Sequence, residues 1–65
     1  MPQLDQMKEQ EIVTGLQVMS LCSGFFGKIT QVSTQDKGVT VTWDNYGVVD
    51  IPVGERYNVQ VLYFP

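Results

Sequence analysis

Asp44 and Asp50 stand on either side of the turn Asn45-Tyr46-Gly47, a placement from which two carboxylates can share general acid and base work. The chain supplies little else for that chemistry. It has no histidine, and Cys22 is its one cysteine. A thiolate with no imidazole beside it lacks the base that activates a catalytic nucleophile. One thiol and no imidazole also fall short of a zinc ligand set and exclude an intramolecular disulfide. No glycine-rich phosphate loop is present. Acids that flank a turn commonly hydrogen-bond its backbone instead, and a lone cysteine is commonly a small buried apolar residue. The residues therefore nominate no catalytic, metal or cofactor site, and the chain leans away from being an enzyme.

Charge narrows the partners. The formal net charge is −3, from seven acidic and four basic residues. Lys8, Lys28, Lys37 and Arg56 are scattered, whereas a nucleic-acid surface draws its affinity from clustered cations that neutralise phosphates. Nucleic acid is an unexpected partner on this ground. No apolar run approaches the ~20 residues of a membrane span, and the acidic, polar start is unlike a signal peptide. With a lone thiol, the expected compartment is the cytoplasm.

The elements that position these residues are strands. Val39-Thr40-Val41-Thr42-Trp43 alternates strictly and runs into a turn, the pattern of a half-buried strand. Leu16–Leu21, opened by Gly15, precedes it, as does Phe26–Ser33. In the latter, Ile29 and Val32 lie three apart, so a bulge or a strong bend, which Gly24 and Gly27 would permit, is needed to bring both inside. Thr34–Gly38 forms a hairpin connection, with Gly38 suited to positive φ. Val48–Val53 follows, with Val49, Ile51 and Val53 on one face; Pro52 makes it an edge strand or ends it. After a turn at Gly54-Glu55-Arg56, Asn58–Phe64 is the fifth strand, with Val59, Val61 and Tyr63 on one face. The expected core is Val18, Ile29, Val32, Val41, Trp43, Ile51, Val59 and Val61. Residues 1–11 are polar, with Leu4 and Met7 at helical spacing, and read as an arm that is either mobile or wound into one to two helical turns. The predicted organisation is thus a short polar N-terminal arm, 1–11, before an all-β, five-stranded, closed or nearly closed small barrel, 12–65.

The order of Gly27-Lys28-Ile29-Thr30-Gln31-Val32, then Val39–Trp43, Tyr46-Gly47 and Val59 resembles small barrels of the Src homology three type, which include KOW segments and Tudor domains. The resemblance runs from about Gly15 to Leu62 and implies that the first and last strands are neighbours. A KOW likeness implies RNA or ribosome contact, which the charge balance opposes. Tudor domains often read Val-x-Phe-x-Asp-Tyr-Gly-Asn where this chain has Val41-Thr42-Trp43-Asp44-Asn45-Tyr46-Gly47-Val48. Asn45 and Val48 replace two polar groups of a methylated-side-chain cage, so the likeness does not extend to that activity. The fold is reused too widely to fix a function.

The remaining signal is apolar surface. Phe25 and Phe26 are adjacent and must point opposite ways in a strand; the exposed one is expected to be Phe25, reaching toward Tyr46 and Tyr57. Met19, Leu21, Leu62 and Phe64 lie opposite the core-facing positions of the first and last strands, which marks a second apolar surface. Leu4 and Met7 of the arm are one cover for it; a second copy of the chain, in a homodimer, is the favoured one. The function expected is a non-enzymatic protein-interaction or accessory module, whose partner-binding residues are Phe25, Tyr46, Tyr57, Met19, Leu21, Leu62 and Phe64. The alternatives are a nucleic-acid-associated barrel, should Lys28, Lys37 and Arg56 converge, and an oligomeric enzyme with a composite site. A plasmid-encoded dihydrofolate reductase builds such a site with Val-Gln-Ile-Tyr, where this chain has Val49-Asp50-Ile51-Pro52.

Overall fold

The computed structural model describes residues 2–63. Five strands, β1 (Gln17–Ser20), β2 (Phe26–Val32), β3 (Val39–Trp43), β4 (Gly47–Ile51) and β5 (Val59–Tyr63), form one antiparallel sheet in the order β4-β3-β2-β1-β5. The alternation of Val39–Trp43 is realised in full: Val39, Val41 and Trp43 are buried, and Thr40 and Thr42 face outward. The sheet curls but does not close. β4 and β5 are its two edges and share no ladder, so the closed form of the expected barrel is not reached. β4 ends at Ile51 because Pro52 can donate no ladder hydrogen bond. Val53, expected on the inner face of β4, instead opens a 3-10 turn, Val53–Asn58, and is exposed.

Two bulges set which side chains face inward. Register shifts between Ile29 and Gln31, leaving Thr30 as the extra residue of β2 opposite β3. Val32 is thereby paired with Val39 and packs half-buried at the edge of the core. A second shift pairs Gln17 with Tyr63 but Val18 with Val61, so Leu62 is the extra residue of β5. This reverses the expected facing of Tyr63, which lies on the outer side of the sheet and is 63% exposed. At the β2–β3 turn it is Lys37, with φ 60°, that takes the left-handed conformation expected of Gly38; the Gly38 N–H donates to Asp36 Oδ1 at 3.0 Å.

The N-terminal segment supplies core. Leu4–Gln6 and Glu9–Glu11 are short 3-10 turns. Each is closed by the same device: Gln6 Oε1 accepts from the Gln3 N–H and Glu11 Oε1 from the Lys8 N–H, both at 2.9 Å. Leu4 is fully buried, and Leu4, Met7 and Ile12 join Leu16, Val18, Ile29, Val59 and Val61 in one cluster. Leu4 and Met7 therefore complete the inner core; they do not cover the outer face. Ile51, expected in the core, packs against it half-buried. The Val61 N–H donates to the Pro2 carbonyl at 3.0 Å, and Gln3 bridges Gln60, so this segment also lies along the free edge of β5. Among the described residues no helix is long and apolar enough to cross a membrane.

Gly27 explains where the large ring of the core goes. It sits opposite Trp43 in the β2–β3 ladder. A Cβ there would lie 2.6 Å from Trp43 Cε3 and 2.8 Å from the Thr42 carbonyl oxygen. The absent side chain lets the indole lie across β2. Gly27→Ala is expected to destabilise by about 1–3 kcal/mol through overpacking against a backbone atom, read as a lower urea midpoint; an unchanged midpoint would show that the indole can move aside.

Candidate functional site

The open side of the sheet is a cleft of about 320 Å³. Its walls come from the paired strands β3, through Trp43, and β4, through Val49 and Ile51, and from β5, which pairs with neither, through Val59. Phe25, just before β2, and Tyr46, in the β3–β4 turn, complete the apolar lining. Glu55 of the 3-10 turn, Asn58 and Cys22 give it a polar rim.

Local chemistry holds each aromatic in place. Gly24, at φ 76°, turns the chain after β1; its N–H donates to the Ser20 carbonyl, and the Ser20 N–H donates to the Phe25 carbonyl, both at 2.8 Å. That hairpin aims Phe25 inward, where it packs half-buried on the core. Phe26, the next residue, faces out and is 54% exposed. The expected order is thus inverted, and Phe26 is the exposed member of the pair. Gly47, at φ 116°, closes the β3–β4 hairpin, and the turn holds the Tyr46 ring 6.5 Å from that of Phe25, tilted by 35°. Such a tilted pair at this separation is favourable beyond the area it buries. Tyr46 itself remains 74% exposed.

Phe25 and Tyr46 are therefore brought together, as expected, while Tyr57 is not among the residues lining the cleft; it lies exposed on the Val53–Asn58 turn. The second apolar surface has a different membership from the one expected. Met19 is half-buried on the outer face, opposite Phe26. Leu62 is half-buried and Leu21 lies exposed beyond the end of β1. Phe64 falls outside the described residues. A depression of about 600 Å³ on this face is lined by Phe26, Leu62 and Tyr63 together with Gln17, Lys28 and Asp44. Sequence reasoning missed Phe26 and Tyr63 here, and Trp43, Val49 and Ile51 as cleft walls.

The electrostatics are local. Cys22 is exposed, and its Sγ lies 3.3 Å from Ser20 Oγ. Asp50 Oδ1 accepts from Thr40 Oγ1 at 2.8 Å. Asp36 is held below the usual carboxylate range chiefly by the Gly38 N–H, with the Ser33 hydroxyl adding to it. Among the described residues no group of three or more His, Cys, Asp and Glu side chains is placed to hold a metal ion. Arg56, read from sequence as part of a turn, is only 4% exposed. It donates to the Glu9 carboxylate and to the Lys37 carbonyl, so its charge is committed inside the fold and does not converge with Lys28. Comparison with protein-family models, curated proteins and solved structures found no match to the chain.

Proposed function

We propose that this protein is a protein-interaction module whose recognition site is the cleft between β4 and the Val53–Asn58 turn. The observation that carries the reading is Tyr46: a mostly exposed ring, held against Phe25 at the mouth of an apolar hollow. Binding surfaces place rigid aromatic rings in this way, because such rings bury much area at small cost in conformational entropy. The occupant is an apolar side chain presented by a segment of a partner protein. Two further points support the wider reading. The pairing of β1 with β5 agrees with kinship to Src homology three barrels, and the exposed free thiol of Cys22 suits the reducing cytoplasm.

A random-peptide display library selected on the wild-type protein tests this. Enriched peptides are expected to lose about tenfold or more in affinity with Tyr46→Ala, the ~1.4 kcal/mol scale of one aromatic contact at an interface. Tyr57→Ala, outside the cleft, is expected to leave them unchanged. Enrichment of nothing, or equal binding by Tyr46→Ala, would overturn the reading.

A further inference from the structure

The two edges of the sheet are treated differently. The edge of β5 is covered by the N-terminal segment, whose Pro2 carbonyl accepts the Val61 N–H. Among the described residues, no backbone hydrogen bond outside its ladder with β3 reaches Gly47–Ile51 of β4. The direction of its free groups follows from β3. The Asp44 N–H donates to the Phe26 carbonyl at 2.8 Å, toward β2. Backbone groups alternate in direction along a strand, so Thr42 and Thr40 also face β2, while Trp43, Val41 and Val39 face β4. Their partners Gly47, Val49 and Ile51 complete that ladder. Val48 and Asp50 therefore turn their N–H and C=O groups to the open edge. Natural edges are commonly blunted by lysine, proline or a bulge. Here the strand carries no lysine and a single charge, Asp50, Pro52 follows only after the strand has ended, and Val48 is 67% exposed.

We propose that the β4 edge receives an extended segment of a partner protein as a sixth strand, its apolar residues entering the cleft and its Lys or Arg residues meeting Glu55 and Asp50. The proposal rests on the reading of the cleft as a recognition site and adds to it the backbone pairing and the charge of the partner. A strand added ~4.8 Å from β4 lies over the gap that β4 and β5 leave open. Its inward side chains then point where those of Val49 and Ile51 point, into the cleft. Backbone pairing supplies affinity in this mode, and alternate side chains supply selectivity. Charge chooses the occupant. Glu55 lines the cleft, Asp50 lies on the outer face of β4 with one carboxylate oxygen bound to Thr40, and among the described residues no Lys or Arg lines the cleft. A second copy would bring the same acids and a net charge of −3 to this edge, so a cationic segment fits better than self-pairing.

The test uses the same display library with a second variant and a second measurement. Enriched peptides are expected to alternate apolar residues with Lys or Arg and to contain few Asp or Glu. Val48→Pro removes an outward N–H without touching the ladder to β3, and is expected to weaken the enriched peptides by about tenfold or more. Amide hydrogen exchange on the wild type guards against misfolding of that variant: Val48 and Asp50 amides are expected to slow at least about tenfold when an enriched peptide is bound. Peptides that lose affinity with Tyr46→Ala but ignore Val48→Pro and leave both amides fast would overturn the sixth strand while keeping the cleft. Peptides indifferent to both variants would overturn both, as would failure to enrich any. Enriched peptides with no preference for Lys or Arg would overturn the cationic partner. Light scattering that shows a wild-type dimer dissociated by Val48→Pro would give the edge to a second copy and overturn the proposal.

Discussion

Leu4→Ala is expected to lower the free energy of unfolding by about 2–5 kcal/mol, the range for a buried leucine truncated in a core that relaxes only partly. Leu4 is fully buried beside Val59 and Val61. A chain of 65 residues commands roughly 3–10 kcal/mol in total at ~0.05–0.15 kcal/mol per residue, so this one change can consume most of it. Urea unfolding followed by fluorescence of Trp43, the one tryptophan, would show the loss. A change below about 0.5 kcal/mol, ordinary for a surface position, would mean that the N-terminal turns are an appendage and not a wall of the core.

Arg56→Ala is expected to cost about 2–3 kcal/mol. Removing one member of a buried ion pair costs ~3–5 kcal/mol when the other is stranded in the interior. Glu9, however, is 47% exposed and can regain water, which places the loss at or below the lower end. The Arg56 guanidinium ties the second N-terminal turn, through Glu9, to the β2–β3 turn, through the Lys37 carbonyl. Its Nε is buried and finds no hydrogen-bond partner among the described residues. The pair has a pH signature. The hydrogen bond from Arg56 is the largest influence on the Glu9 carboxyl and holds it below its ordinary value of 4.5, with the Arg56 and Lys37 charges assisting and partial burial opposing. A carboxylate whose pKa is depressed by folding stabilises the folded state above the unfolded pKa, and the benefit fades as pH falls through the folded value. Wild type should therefore lose stability below about pH 4.5. Glu9→Gln should lose less over that interval, and the difference between the two urea-midpoint curves isolates Glu9 from Asp36. Parallel curves would mean that the ion pair does not form in solution.

The strands were legible where side-chain chemistry had one reading. Val39–Trp43 alternates apolar and threonine residues, and only a half-buried strand satisfies that pattern. The spacing of Ile29 and Val32 called for a bulge or a strong bend, and the structure uses a bulge at Thr30. The bulge at Leu62 left no such mark, because Val61, Leu62 and Tyr63 are apolar in either register. Leu4 and Met7 were visible as a spacing of three, but their destination is a cluster shared with Val59 and Val61, far along the chain, that no local pattern encodes. The cleft was half legible. The proximity of Phe25 and Tyr46 followed from two turns, yet the exposed phenylalanine was misassigned because a residue before a strand carries no facing of its own. Arg56 read only as a turn residue because its partners, Glu9 and Lys37, lie far away along the chain.

The pairing of the first described residues with the last strand bears on how the molecule assembles. Gln60 Nε2 donates to the Pro2 carbonyl across a sequence separation of 58, and β1 takes β5 as a neighbour. Loop closure of that length must be completed before its contacts reward it, which places such topologies among folders of the millisecond-to-second range. During synthesis, the packing around Leu4 stays incomplete until Val59 and Val61 have followed it out, and β1 waits equally long with one side unpaired. Assembly is consequently cooperative across the whole five-stranded sheet: the 3-10 turn that carries Leu4 gains its place in the core only once β5 lies beside β1.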